Sequence, residues 1–313
     1  MATTDSQALH LFSKETLVKG QPSQIECLDL DGQTYQITRG PVTMMSLEDE
    51  WYEDIEDPER VIATLRDHPE VTPDIFTFWQ RLPDIEPKYS FYREWEDIAV
   101  LPVTTYDHWW NQQIKSRVRS QIRKSEKEGV VVRETAYDDE FVAGMTAIFN
   151  EAAVRQGRPF WHFGKDVETV KRQFSRYVHR EHMIAAYYQD QIIGLIMLGN
   201  AGRFGLTGQI ISSLNHRDKQ TNNALVAKAV EVCANRGLEY LVYLFWSEDS
   251  LSEFKRRVGF ERTRVPRYYV PLTWKGKVAL RTGAHRGLRA MVPNRIKAPL
   301  KRLRSSWYER RGN

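Results

Sequence analysis

Cysteine is scarce: Cys27 and Cys233 are the two in 313 residues. They could pair, but the opening stretch MATTDSQALHLFSKE has no basic-then-apolar leader. Reduced thiols in a cytoplasmic protein are therefore expected. Long apolar runs are missing too. The longest, Ile192–Leu198, has the length of a strand, so no segment is expected to span a bilayer. The signatures GxxxxGK[ST], GxGxxG and GxSxG do not occur, which argues against P-loop, dinucleotide and α/β-hydrolase chemistry. His179 and His182 stand three apart with no HExxH motif and no cysteine partner, so metal catalysis lacks support and no metal is expected. Acids are nearly absent from one stretch. From Lys275 to the end there are 12 basic residues and one acid, Glu309.

The remainder is acidic. Residues 1–274 hold 33 basic and 40 acidic residues, so a formal net charge of +4 divides into a −7 body and a +11 tail. A genome-coating or ribosomal chain would carry its positive charge in the folded body, and that class does not fit. Hydrophobic residues make up 41%, enough for a packed core. At about 150 residues per domain the length suggests two domains.

Residues 1–47 read as short strands and turns, with Asp31-Gly32 between alternating runs as a hairpin signal. Eight acids fall between Glu48 and Glu59, read as a solvated helical face or loop. Prolines and aromatics follow, as in IFTFW and YSFYREWEDIAVLP, and suggest strands on a core. Asp107 is placed to cap a basic helix over 108–128, read as a connector, with Gly129 at its end. Beyond it VVVRE reads as a strand. Apolar spacing predicts a helix from Asp139 to Gln156, stopped by Gly157, and a second helix capped by Asp166. Two hairpin strands, MIAAYYQ and IIGLIMLG, precede a third strand from Arg203 to about Ser213. The polar loop LNHRDKQT leads to a helix over Asn222–Arg236. LEYLVYLFW is a buried strand, Ser250 caps a short helix, Gly259 breaks it, and FERTRVPRYYVPL is the last strand. This order predicts a mixed sheet with helices on its faces, a mixed α/β (α+β) class.

Three stretches carry a resemblance: IRKSEKEGVVV, SSLNHRDKQTNNALVAKAVEVCANRGLEYLVY and SLSEFKRRVGFER. In element order and in these motifs, residues 108–271 resemble the GNAT superfamily of N-acyltransferases, and more closely the GNAT-like half of the FemAB group, peptidyltransferases that add amino acids to peptidoglycan precursors. The resemblance implies a GNAT-like fold with a central mixed sheet. It implies transfer of an acyl or aminoacyl group, from acyl-CoA or aminoacyl-tRNA, to an amine of a cell-envelope, peptide or sugar acceptor. The expected organisation is an N-terminal partner region (1–107), a basic connector helix (108–128), the acyltransferase domain (129–272) and a basic amphipathic tail (273–313). The front is too short for a second complete GNAT-like domain, which full Fem enzymes have.

The loop before the Asn222 helix is the donor-site candidate. A helix N-terminus offers unpaired N–H groups and a positive dipole end to a phosphate, and Arg217 and Lys219 add charge. GNAT enzymes carry Arg/Gln-x-x-Gly-x-Gly/Ala here, whereas Gln220 and Asn222 stand where glycines are expected. Donor contacts are assigned to Arg217, Lys219, Gln220, Asn222 and Asn223; a capped helix under a solvated loop is the plainer use of these residues. The loop QGRPFWHFGKD, where GNAT enzymes admit the acceptor, offers Arg158, Trp161 and Lys165 for a sugar or peptide. His162 is a candidate base because an imidazole titrates near neutrality, although the aromatics around it could simply anchor the loop. Gln209, Tyr243 and Glu248, in or after the strands that flank the reacting centre in this fold, are the other catalytic candidates. The tyrosine that GNAT enzymes often place on the last short helix is missing from LSEFKRRV, and Lys255 and Arg256 there read as a solvated face. No Cys or Ser is placed as an activated nucleophile, so direct transfer in a ternary complex is expected.

In the tail, Leu288, Met291 and Val292 share a helical face, as do Ile296, Leu300, Leu303 and Trp307, among many cations. An anionic membrane surface, a dock on the chain's own acidic body, or tRNA would each suit them. Pro293 and Pro299 interrupt any helix there. A peripheral place on the inner face of the cell membrane is thus open. So is a non-catalytic reading, in which a GNAT-shaped scaffold tethers an envelope-synthesis complex to the membrane.

Overall fold

The computed structural model describes residues 9–18, 21–246 and 250–287. Glu248 and the amphipathic stretch from Leu288 to Trp307 lie outside the described residues. The chain divides into two compact units. Among the described residues one takes 9–96 and 264–287, the other 97–263.

The front of the first unit is five strands and a helix: β1 (Leu11–Val18), β2 (Gln21–Leu30), β3 (Gln33–Thr38), β4 (Met44–Leu47), α1 (Pro58–Asp67) and β5 (Ile75–Trp79). The division then falls inside β6 (Tyr92–Pro102). The second unit continues with α2 (Tyr106–His108), α3 (Ser116–Lys127), β7 (Val131–Thr135), α4 (Asp139–Phe149), β8 (Val154–Arg155), β9 (Arg158–Pro159), α5 (Val167–Phe174), β10 (Glu181–Tyr188), β11 (Gln191–Ala201), β12 (Phe204–Ser212), α6 (Thr221–Asn235), β13 (Tyr240–Phe245) and α7 (Ser250–Arg257). The second division falls inside β14 (Glu261–Pro271), which precedes α8 (Trp274–Thr282).

In the first unit the strands run β1-β2-β3-β4-β5-β14. The Asp31-Gly32 turn closes the β2–β3 hairpin. Arg267–Pro271 of β14 pairs antiparallel with β5, so a segment from the far end of the chain completes this sheet. Alternate residues Leu28, Leu30, Tyr35, Ile37, Met45, Leu47, Phe76, Phe78, Tyr268 and Val270 face one core. α1 covers it with Val61, Ile62 and Leu65, and Asp57 caps that helix by accepting from the Arg60 N–H at 3.0 Å. The acidic run is not merely solvated. Glu50 pairs with Arg267 at 2.8 Å and Asp54 with Arg81 at 2.9 Å, and both guanidinium groups are largely buried.

In the second unit the order is β6-β13-β12-β11-β10-β7. β10 and β11 read as continuous apolar runs because both faces are covered. Ile184, Ala186, Ile196 and Leu198 pack toward a cluster that includes Val118, Ile122 and the inner side of α6. Their neighbours Met183, Ala185, Leu195 and Met197 pack with Phe141, Met145 and Phe149 of α4 and Val170 of α5. Asp138 and Asp166 cap α4 and α5.

Two elements differ from the periodicity. The helix expected over 108–128 is broken: α2 runs into a π-helical turn, Trp109–Gln113, then Ile114 is extended and buried before α3 begins. Thr105, not Asp107, caps the start. The break lets Trp109 turn fully inward, where its indole N–H donates to the Val258 carbonyl at 3.0 Å. This contact also explains Gly259. Its φ is +100°, and a Cβ there would sit 3.2 Å from the Trp109 indole nitrogen. The helix expected to reach Gln156 ends at Phe149, and residues 154–159 form the small β8–β9 hairpin. Asn150 ends the helix by binding across the loop: its amide N–H donates to the Lys165 carbonyl at 3.0 Å and its amide oxygen accepts from the Gly164 N–H at 2.6 Å. Among the described residues no helix is long and apolar enough to cross a membrane, and both cysteines are free and buried.

Trp109 carries both apolar burial and a buried hydrogen bond. Trp109→Ala is expected to lower unfolding free energy by about 3–5 kcal/mol. Trp109→Phe, which keeps most of the ring, should cost about 1–2 kcal/mol. Denaturant melts of the two variants would show that ordering.

Candidate active site

The site begins where two parallel strands stop pairing. β12 and β13 share three pairs, Phe204 with Tyr240, Gly205 with Leu241 and Leu206 with Val242. Beyond them β12 bulges: Leu198 of β11 pairs with Thr207 but Met197 pairs with Gln209, leaving Gly208 out of register. β13 is irregular over the same stretch, with Leu244 at a φ of +42° and a register slip against β6 between Val242 and Phe245. α7 holds that irregular end. The Lys255 ammonium, read from the sequence as solvated, is 1% exposed and donates to the carbonyls of Tyr243 at 2.7 Å and Phe245 at 2.8 Å. The amphipathic register of a short helix turned inward accounts for that difference.

A cavity of about 530 Å³ opens at the gap. Gln209 to Leu214 form one wall, Tyr243 another, and Leu251 and Phe254 of α7 contribute apolar surface. Asn222 from the first turn of α6 and Arg155, Arg158 and Phe160 from the β8–β9 region complete the lining with Arg217. Three arginines therefore line one space together with a helix N-terminus, an arrangement suited to phosphate groups.

Glu151, just past the end of α4, organises the rim. One carboxylate oxygen accepts from the Ser213 hydroxyl at 2.5 Å. The other accepts from the Leu214 N–H at 2.6 Å and from Arg155 at 3.1 Å. Arg155 also donates to the carbonyls of Ser212 at 3.0 Å and Ile148 at 2.6 Å. Burial pulls the Arg155 guanidinium below its ordinary range, Glu151 opposes this and Arg217 adds to it. A guanidinium held on three acceptors is fixed in direction before any ligand arrives.

The loop ahead of α6 lacks glycine yet takes a glycine-like shape. Gln220 adopts φ +57° and ψ +27° at the helix N-cap. A left-handed non-glycine residue costs about 1–2 kcal/mol, which the surrounding turn must offset. The Gln220 side-chain oxygen accepts from the Asn223 amide at 3.3 Å.

Of the residues proposed from sequence, Gln209, Tyr243, Arg217, Asn222 and Arg158 line the cavity together. Others sit apart from its lining. Lys219 is drawn to Glu128 at 3.4 Å and lies 4.7 Å from the Tyr188 ring. Lys165 lies 4.1 Å from the Trp161 ring and donates to Gln173 at 2.6 Å. Asn223 is mostly buried. His162 is 3% exposed, stacked on Phe149 at 4.3 Å and packed beside Trp161, Phe160 and Phe174. Glu151 and Arg155 are hidden in the sequence because apolar spacing carries α4 past both of them. Their i, i+4 spacing was the available signal. Burial pushes the Tyr243 phenol upward, so it is protonated at neutral pH, and pushes the Cys233 thiol up to about 12.

Burial, with Lys165 nearby, lowers the His162 pKa from 6.5 to about 4. The unfolded chain then takes up the proton first, so stability is lost as pH falls from about 6.5 toward 4. Over that window the native protein is expected to lose about 3 kcal/mol more than His162→Phe. Denaturant melts at stepped pH would show equal slopes if this imidazole were solvated.

No protein-family model matches the sequence, and no curated protein matches it. Solved structures do resemble the fold. FemX aligns with a TM-score of 0.59 at 10% identity, over 86% of this chain and 90% of that one. The C-terminal domain assigned to a lysylphosphatidylglycerol synthetase of Agrobacterium fabrum aligns at 0.56 and 8% identity, over 82% and 87% of the two chains. L-PGS from Bacillus licheniformis aligns at 0.51 and 12% identity, over 76% and 81%. At these identities the likeness is one of fold alone, a GNAT-like mixed sheet flanked by helices.

Proposed function

We propose that the protein is an N-acyltransferase that moves an acyl or aminoacyl group from an acyl-CoA or an aminoacyl-tRNA to an amine of a cell-envelope, peptide or sugar acceptor. The observation that carries this reading is the cavity between β12 and β13, with Arg155, Arg158 and Arg217 around it and the first turn of α6 at its edge. Both donor classes are phosphate-rich, and the guanidinium groups and helix N-terminus suit them. The apolar wall of Phe160, Leu251 and Phe254 suits the uncharged part of a donor.

In the proposed reaction the amine nitrogen attacks the donor carbonyl carbon and a C–N bond forms. The bond to the thiol sulfur of CoA, or to the ribose oxygen of tRNA, breaks. Backbone N–H groups of β12 past its last pair with β13 are the candidates to donate to the carbonyl oxygen as it gains negative charge. Tyr243, a protonated phenol in the cavity wall, is positioned to give a proton to the leaving group. Gln209 orients the amine. Glu248, which follows β13 in the sequence, is the candidate to take the ammonium proton. Cys233 is fully buried with a raised pKa, which supports transfer without a covalent enzyme intermediate. The missing loop glycines and the missing helix tyrosine favour the scaffold reading. Gln220 takes the left-handed conformation without glycine, and a tyrosine enters the cavity from β13 instead.

Thermal shift with acetyl-CoA, longer acyl-CoAs, charged tRNA and uncharged tRNA should select one donor class. Arg158→Ala and Arg217→Ala should each weaken that donor about 5- to 30-fold. If no donor stabilises the protein and none is turned over, the scaffold reading prevails. With the donor identified, Tyr243→Phe should lower kcat about a hundredfold with KM little changed; an unchanged kcat would remove the acid role.

A further inference from the structure

Helix α8 carries two large apolar residues on its outer face, where a helix packed on a sheet in water ordinarily carries polar ones. On its inner face Gly276 lies so close to the Asp74 carbonyl that any Cβ would collide with it, and Ala279 and Leu280 pack with Ile75 and Tyr269. Its outer face carries two further large apolar side chains. Trp274 is 77% exposed and Val278, one turn on, is 47% exposed. Lys277 and Arg281 flank that stripe and are exposed, and the helix WKGKVALRT contains no acid. The helix is also firmly held. Thr273 caps it, accepting from the Gly276 N–H at 3.1 Å and donating to Asp74 at 2.7 Å. Just beyond it, His285 and Arg286 bind Glu94 at 2.7 and 2.8 Å. The outward stripe is thus presented on a rigid mount.

We propose that this face docks on an anionic lipid surface. Tryptophan favours the boundary between headgroups and hydrocarbon, and lysine and arginine reach back to the phosphates from the same helix. One such stripe binds weakly alone, and stable attachment needs a second signal. The sequence supplies it directly downstream: residues 288–313 add eight basic residues and one acid. That charge has the same sign as the cations of α8 and adds to the attraction of the chain for one anionic surface. A nucleic acid would satisfy the cations, but it gives no reason to expose Val278 beside Trp274. The inference stands independently of the acyltransfer reading.

The test is co-sedimentation of the full chain with vesicles of mixed phosphatidylglycerol and phosphatidylcholine, and with vesicles of phosphatidylcholine alone. The wild type should pellet with the first and not the second. Trp274→Ser with Val278→Ser should reduce partitioning about tenfold or more, with the thermal melt unchanged because neither side chain is in the core. Lys277→Gln with Arg281→Gln should reduce it by a similar factor and flatten its salt dependence. Equal partitioning of wild type and the Trp274/Val278 variant overturns the proposal. So does equal binding to both vesicle types, or retention by RNA with no binding to vesicles.

Discussion

The parting of β12 from β13 is the constraint on which the candidate site depends. Parallel strands left in register would fill the space that the cavity occupies, and the cavity exists because pairing ends at Leu206 and Val242. An open strand edge inside a fold leaves backbone groups that must find partners. Each side solves this with a long cation or an anion used as a clamp. On the β13 side Lys255 reaches two carbonyls from α7. On the β12 side Glu151 and Arg155 bind the Ser213 hydroxyl, the Leu214 N–H and the Ser212 carbonyl. Removing one member of such a cluster leaves the others buried and unpaired, which is far costlier than the net worth of any one bond.

Much of the second unit was legible because its pattern is local. β10 and β11 are apolar on both faces, α4 and α5 are announced by Asp138 and Asp166, and the strand–loop–helix–strand run around α6 sits where the pattern put it. Local signals failed where a distant group overruled them. Apolar spacing carries α4 on to Gln156, yet Asn150 and Glu151 find partners 14 to 63 residues away and the helix stops. Lys255 sits in a run of cations that reads as a wet face, and its burial follows from the shape of β13, which no local spacing encodes. The acidic run near Glu50 hid its purpose for the same reason, since its arginine partner Arg267 is 217 residues away.

Charge is used in this protein at two scales. Within the second unit a handful of guanidinium groups is concentrated at one opening while the body as a whole remains acidic, so the attraction is local and short-ranged. At α8 and beyond, cations are strung along the sequence with few acids to offset them. The first pattern suits a compact ligand held in one pose. The second suits an extended charged surface.

The first unit has a consequence for the order in which the protein is made. Its sheet needs β14, and its second face needs α8, yet both are translated after the whole of the second unit. On the ribosome strands β1 to β5 must therefore wait, with one edge of β5 unpaired, while the residues of the second unit, 97–263, emerge. Such an edge invites pairing with other chains until it is covered. The short parallel contact of β4 with β5 and the helix α1 packed over the same core are what the nascent chain has to keep that edge in place until its last strand arrives.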